Sequence, residues 1–336
     1  MQTKTDDMVP TRNVLEFRRY RMGLQVDETL CELIDGLSFS VRQSSVLGVV
    51  GESGCGKSMT ALSVLRLLPA AAVVMGGEIL FNGENLLAKT EAEMEKIRGR
   101  DIAMVFQEPM TSLNPVHTVG RQIAEVFLTH RPQMGAEERR TTAIALLRQV
   151  GIANPEQRFD QFPHQLSGGM RQRVMIAIAV ACRPQILLAD EPTTALDGTI
   201  QAQVLSLMQE LKQQTQGSIM LITHNLGVVA ETCDEVVIMY AGRIVERGSI
   251  ANIFDQPAHP YTRGLLASLP SLVADRGELY SIPGSVPTVD NLEPGCRFAP
   301  RCSMRREVCT RKVPALAEVR SGHAVACWVT GPGAES

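Results

Sequence analysis

The feature that most constrains this chain is Val46-Leu47-Gly48-Val49-Val50 followed at once by Gly51-Glu52-Ser53-Gly54-Cys55-Gly56-Lys57-Ser58. Five residues without a polar side chain fit a strand buried on both faces, as in a parallel sheet. The next eight match G-x-x-x-x-G-K-[ST], and helix formers run from Ser58 to Leu68, up to Pro69. Strand, glycine loop and helix in this order make a phosphate cradle. The glycines let backbone N–H groups close around phosphate oxygens, and the helix N-terminus adds partial positive charge. Expected nucleotide contacts are Gly51, Ser53, Gly54, Cys55, Gly56, Lys57, Ser58 and Met59, with Lys57 reaching the β- and γ-phosphates of ATP and Ser58 ligating magnesium. The thiol of Cys55 is expected to make the activity sensitive to alkylating reagents.

Strands and helices alternate through the rest of the chain. Glu78 to Phe81 and Ile102 to Phe106 read as strands, the second running into Gln107, and Glu137 to Val150 is the clearest amphipathic helix. Ile186-Leu187-Leu188-Ala189 ends in Asp190 and Glu191, and Ile219 to Thr223 ends at His224. This alternation predicts an α/β fold on a doubly wound parallel sheet, with ligands at the carboxyl ends of strands. Asp190 suits the acid that holds magnesium, and Glu191 is placed to polarise an attacking water. Beyond Tyr240, Pro257, Pro260, Pro270, Pro283, Pro287 and Pro294 interrupt regular structure, so a boundary is expected near residue 250.

A net charge of −3 and a pI near 6.1 give no general attraction to nucleic acid or anionic lipid. Met1 to Arg12 lacks the apolar core of a secretory signal, and no run approaches the ~18 apolar residues of a membrane span. The expectation is a cytosolic chain that meets a membrane through a partner. Eight cysteines in a reducing compartment do not read as a disulfide framework. Four of them, Cys296, Cys302, Cys309 and Cys327, are spaced C-x5-C-x6-C-x17-C and could hold zinc or an iron–sulfur cluster. The spacing is looser than the C-x2–4-C pairs of structural zinc, and Arg297, Arg301, Arg305 and Arg306 would offset cluster charge. A 4Fe-4S cluster is the favoured reading, with zinc or unligated thiols as alternatives.

Leu166-Ser167-Gly168-Gly169-Met170, followed by Arg171-Gln172-Arg173, resembles the signature of ATP-binding cassette (ABC) ATPases and departs from L-S-G-G-Q only at Met170. The resemblance makes Gln107 the Q-loop glutamine, a ligand of magnesium or of the attacking water. It makes Ala195-Leu196-Asp197 the D-loop and His224 the switch histidine that contacts the γ-phosphate. It also implies that two such domains pack head to tail, ATP being clamped between the phosphate loop of one and Ser167, Gly168 and Gly169 of the other. The family's adenine-stacking aromatic falls at Leu24 in the preferred register, with Tyr20 the nearest aromatic. Base stacking is thus either weakened or supplied by Tyr20.

Ala258-His259-Pro260-Tyr261-Thr262 and Gln107-Glu108-Pro109-Met110-Thr111-Ser112-Leu113-Asn114-Pro115 resemble ATPases of dipeptide and oligopeptide importers. So does Asp190-Glu191-Pro192-Thr193-Thr194-Ala195-Leu196-Asp197. The resemblance implies a P-loop ATPase domain over residues 14–250, with a RecA-like core and a helical subdomain at about 115–180. A small, irregular C-terminal extension over 251–330 would carry the 4Fe-4S cluster. Implied partners are a second, homologous ATPase chain, two transmembrane permeases whose coupling helices enter a groove after Gln107, and an extracytoplasmic solute-binding protein. The implied location is the cytoplasmic face of the bacterial inner membrane. Two further readings stay open, a soluble cassette acting on nucleic acid or ribosomes and an importer of another small solute such as a metal chelate, glutathione or an opine.

Overall fold

The computed structural model describes residues 12–108, 112–194, 196–269 and 281–332. The quoted Pro109-Met110-Thr111, Ala195 and Pro270, and residues 1–11 of the N-terminal stretch, lie outside the described residues. Two sheets organise the chain. Strands β1 (Asn13–Val26), β2 (Thr29–Arg42), β4 (Ala72–Phe81) and β5 (Glu84–Asn85) form an antiparallel sheet in the order β2-β1-β4-β5. The larger sheet has eight strands in the order β11-β12-β10-β9-β3-β8-β7-β6.

Its centre is β3 (Val46–Val50), flanked in parallel by β8 (Ser218–Thr223) and β9 (Glu235–Tyr240); β7 (Ile186–Asp190) and β6 (Ile102–Val105) continue the parallel run. Every residue of β3, β6, β7 and β8 is buried, which explains their apolar sequences, broken only at the ends of β7 and β8 by Asp190, Ser218 and Thr223. The strand expected from Glu78 begins earlier, at Ala72, because it pairs with β1 from Leu24↔Ala72 onward. Helix α1 (Lys57–Leu65) leaves the phosphate loop, and α2 (Glu91–Ile97) packs into the core between the sheets through Met94 and Ile97.

On the other face, α3 (Val119–His130), α4 (Ala136–Gln149), α5 (Pro155–Phe159) and α6 (Gly168–Val180) share a core with α7 (Gly198–Thr215). Helix α4 matches the expected amphipathic stretch to within a residue at each end. Helix α8 (Leu226–Thr232) precedes β9.

The C-terminal region builds onto the sheet edge. Antiparallel β10 (Arg243–Ser249) pairs with β9, then β12 (His323–Val325) pairs with β10 and β11 (Ala317–Arg320) with β12. Helices α9 (Ile250–Asp255), α10 (Pro260–Ala267) and α11 (Glu307–Arg311) lie in this region. Tyr240, Tyr261, Leu266 and Phe298 form a core of their own there, the aromatic rings meeting edge to face at 4.8 Å and 5.1 Å. Glu246 sits fully buried, accepting N–H bonds from Ala258 at 2.6 Å and His259 at 2.9 Å and pairing with His323 Nε2 at 2.7 Å.

Candidate nucleotide site

The loop after β3 is tightly enclosed from below. A Cβ on Gly51 would stand 2.3 Å from the Met239 carbonyl oxygen, so no side chain fits where the loop leaves the sheet. Gly56 caps α1 with φ at 97°, a left-handed conformation natural to glycine. Lys57 is buried under the loop, its Nζ donating to the carbonyl oxygens of Gly51 at 2.8 Å and Glu52 at 2.9 Å. Ser53 and Gly54 are exposed at the loop's tip.

A cleft of about 530 Å³ opens over this loop and brings together Ser53, Gly54, Gly56, Lys57, Ser58 and Met59 with Gln107 and Glu191. These come from segments far apart in sequence, each at the carboxyl end of a parallel strand, the position expected of a ligand site. Asp190 lies buried beside them and is hydrogen-bonded to the Ser58 side chain, while its Oδ1 has no hydrogen-bond partner. Burial, with the neighbouring charge of Glu191, pushes its carboxyl up, against the pull of Ser58 and Lys57. A buried acceptor left unsatisfied beside a serine hydroxyl suits a hard cation with oxygen ligands. These residues therefore fit a magnesium ion accompanying a nucleotide triphosphate.

Glu191 follows β7 in a left-handed conformation, φ 46°, which costs a non-glycine residue roughly 1–3 kcal/mol. Its carboxylate is held from three sides. Thr194 Oγ1 donates to Oε2 at 2.8 Å, Gln107 Nε2 donates to Oε2 at 3.4 Å, and His224 Nδ1 stands 3.2 Å from Oε1. Burial alone would raise this carboxyl, but the bonds from Thr194 and His224 and the charges of His224 and Lys57 carry it below the usual range. The carboxylate is thereby kept ionised.

The remaining motif residues stand elsewhere. Ser167 caps α6, its Oγ accepting from the Met170 N–H at 3.3 Å, and Ser167 and Gly168 face solvent at that helix's N-terminus. Asp197 caps α7, accepting from the Ile200 N–H at 3.0 Å. Neither Ser167, Gly168, Gly169 nor Asp197 lines the cleft.

Three expectations change. Cys55 is fully buried, and burial raises its thiol despite Lys57 nearby, so ready alkylation is not expected. Tyr20 is also fully buried, its hydroxyl donating to Ser63 Oγ at 2.9 Å, and it cannot reach a base; Leu24 lines the cleft. Two of the arginines read as counter-charges for a cluster are committed to the cassette. Arg297 bonds the Ala241 carbonyl oxygen and lies 3.5 Å from Asp35, and Arg301 bonds Glu52 in the phosphate loop.

Sequence reasoning missed the residues through which the C-terminal region grips the loop. Tyr261 Oη accepts from the Glu52 N–H at 2.9 Å. His259 positions that ring by capping α10, its Nδ1 accepting from the Tyr261 N–H at 3.1 Å, with Pro260 at the first helical position. The His-Pro-Tyr run was visible as a marker, but its reach back to Glu52 was not.

Among the described residues no three His, Cys, Asp or Glu side chains are grouped to hold a metal ion. Cys296 nevertheless feels the charges of Cys309, Cys327 and Cys302; burial first, and then those neighbours, push its thiol up to about 11. Each of the four sulfurs accepts a backbone N–H, from Phe298 to Cys296, Met304 to Cys302, Arg306 to Cys309 at 3.5 Å and Val329 to Cys327 at 3.4 Å.

The chain matches the family model of ABC transporters over residues 34–194 and that of the oligopeptide/dipeptide transporter C-terminal region over 245–309. It is 51% identical over 94% of both chains to the probable peptide ABC transporter ATP-binding protein y4tR of Sinorhizobium fredii. It is 50% identical to the oligopeptide transport ATP-binding protein AppD of Bacillus subtilis, over 88% of this chain and 90% of that one. Among solved structures, a dimeric bacterial ABC transporter cassette, MJ0796, is 25% identical with a TM-score of 0.64, covering 70% of this chain and 98% of its own. With a cassette fold, a phosphate loop facing Gln107 and Glu191, and these relatives, the chain belongs to the ATP-binding proteins of ABC transporters, in the group that carries the oligopeptide/dipeptide transporter C-terminal region.

Proposed function

We propose that this protein is the ATP-hydrolysing subunit of an ABC importer and couples ATP binding and hydrolysis to the uptake of di- or oligopeptides through partner permeases. The observation that carries the reading is Glu191, its carboxylate held by Thr194, Gln107 and His224 in the same cleft as Lys57 and Ser58. Lys57 and the loop N–H groups bind the triphosphate, Glu191 polarises the attacking water, and Gln107 and His224 orient that water and the γ-phosphate. Ser58, Asp190 and Gln107 would hold magnesium, which neutralises charge on the β- and γ-oxygens.

The second half of the site is assigned to another cassette, a homologous chain. Its Ser167, Gly168 and Gly169 cap the γ-phosphate with helix N–H groups and its Asp197 lies across the interface. Exposure of Ser167, Gly168 and Asp197, away from their own cleft, supports that arrangement. The division into a cassette over 14–250, its helical part at about 115–180 and an extension over 251–330 belongs to the same proposal.

A groove of about 480 Å³ lined by Phe106, Ser112, Asn114, His117 and the face of α3 suits coupling helices from two permeases. Val116 and Leu128 are exposed nearby, apolar side chains that a membrane partner would cover. Among the described residues no helix is long and apolar enough to cross a membrane, so attachment to the cytoplasmic face of the inner membrane would run through those permeases. A solute-binding protein outside the membrane would deliver the peptide, and no role with nucleic acid is assigned. Cys296, Cys302, Cys309 and Cys327 would hold a 4Fe-4S cluster rather than one zinc ion. What supports the reading is that Cys296 feels the charges of Cys302, Cys309 and Cys327 and that each of the four sulfurs accepts a backbone N–H bond, as cluster thiolates do.

The test is Glu191→Gln in the complex with its permeases and binding protein in proteoliposomes. ATP binding is expected to persist while hydrolysis falls by about 10²–10⁴ and peptide uptake stops. Unchanged hydrolysis would overturn the site, and ATP-driven uptake of another solute in place of peptides would overturn the substrate.

A further inference from the structure

The cleft over the phosphate loop has a second wall that is not part of the cassette. On one side stand Leu24 and Leu33, from β1 and β2; on the other stand Val286, Pro287, Val289 and Leu292, from the C-terminal region. Among the described residues no aromatic side chain lines this cleft. The second wall is built in place. Val286 and Leu292 pack into the Tyr240–Tyr261–Phe298 core, and the one-turn helix Val289–Asn291 lies against β2.

The segment leading into the wall is tied to the phosphate loop through one side chain. Arg301 Nε donates to the Pro283 carbonyl oxygen at 2.8 Å and Nη2 to that of Ile282 at 3.3 Å, while Nη1 grips Glu52. Where the triphosphate lies on the loop, the rest of the nucleotide extends between the two walls. The faces of a flat purine ring are buried well between aliphatic side chains.

We infer that Val286, Pro287, Val289 and Leu292 form the base-binding wall of the nucleotide site, holding the purine against Leu24 and Leu33 in place of an aromatic stack. The C-terminal region is then part of the nucleotide pocket. This inference rests on the assignment of the loop as an ATP site.

Val289 is the residue to change, because it lines the cleft without belonging to any core cluster. Val289→Asn is neutral, so the field at the triphosphate is preserved. The full-length protein is titrated with magnesium–ATP and, separately, with magnesium–tripolyphosphate, which has no base. The variant is expected to bind ATP about tenfold more weakly, the scale of a misfit in an apolar pocket, with tripolyphosphate binding unchanged. Val289→Ile is expected to bind ATP as the parent does. ATP affinity of Val289→Asn within about twofold of the parent would overturn the wall, as would an equal loss for both ligands, which would place the effect on the phosphate loop. Failure of the unsubstituted protein to bind either ligand would overturn the nucleotide-site assignment itself and the wall with it.

Discussion

Arg301 and Glu52 stand 249 positions apart, yet Nη1 of the guanidinium donates to both carboxylate oxygens of Glu52 at 3.0 Å. The arginine side chain is 5% exposed and the glutamate 30%, so the pair is partly shielded from water. Arg301→Ala is expected to lower the unfolding free energy by roughly 2 kcal/mol, less than for a fully buried pair because Glu52 reaches solvent. It should also raise the KM for ATP. A double-mutant cycle with Glu52→Gln, read by urea unfolding, measures the coupling; additive losses would mean that the bridge contributes nothing.

Cys55 should resist modification. N-ethylmaleimide at neutral pH is expected to label the partly exposed Cys31 before Cys55, by peptide mass spectrometry with or without ATP. Cys55→Ser is expected to keep ATPase activity within about twofold, since the thiol points away from the cleft into the core. Rapid, ATP-blocked labelling of Cys55 would contradict this burial.

The depressed carboxyl of Glu191 has a definite consequence for pH. Being below the usual glutamate range, it stays ionised through mildly acidic conditions, so the acid limb of the ATPase profile should fall below that range. His224→Ala removes one of the bonds that lower it, and the limb should then move to higher pH as well as the rate dropping. A rate loss with an unmoved profile would separate His224 from the carboxylate.

His259 is buried neutral, its imidazole lowered to about 3 by burial and by Arg263. The unfolded chain takes up this proton below about 6.5 while the folded protein does not. Stability attached to the neutral ring is therefore complete above about 6.5 and is lost as pH falls toward 3, by about 1.4 kcal/mol per pH unit. His259→Asn keeps an acceptor at the cap of α10 but cannot titrate. Denaturant midpoints measured from pH 7 to 4 should fall less steeply for the variant.

For the four tail cysteines, protein purified without oxygen is expected to be brown and to contain iron with acid-labile sulfide. Cys309→Ser is expected to lose both. Zinc without iron under the same handling would refute the cluster.

Much of the cassette was readable because its signals are local. An apolar run, a glycine loop and a helix former sequence stand side by side at Val46 to Leu68, and the strand ends at Gln107, Asp190 and His224 converge by the geometry of a parallel sheet. The grip of Tyr261 and Arg301 on Glu52 was not readable, since contacts spanning 209 and 249 positions leave no period or spacing. Arg301 was visible only as a charge near cysteines. Likewise Cys55 looked reactive because of where it sits in the motif, and Tyr20 looked available because of what it is. Burial, which decides both, comes from packing between the two sheets.

The pairing of β12 with β10 gives the C-terminal region a further importance, for anyone who would shorten this chain. A cassette cut after Ser249 would leave β10 with a row of unpaired N–H and C=O groups, open to the same edge of another molecule. Glu246 would lose His323 and the N–H groups of Ala258 and His259, its partners among the described residues, in a buried setting. Such a fragment of this chain is expected to self-associate through that edge rather than to serve as a minimal ATPase.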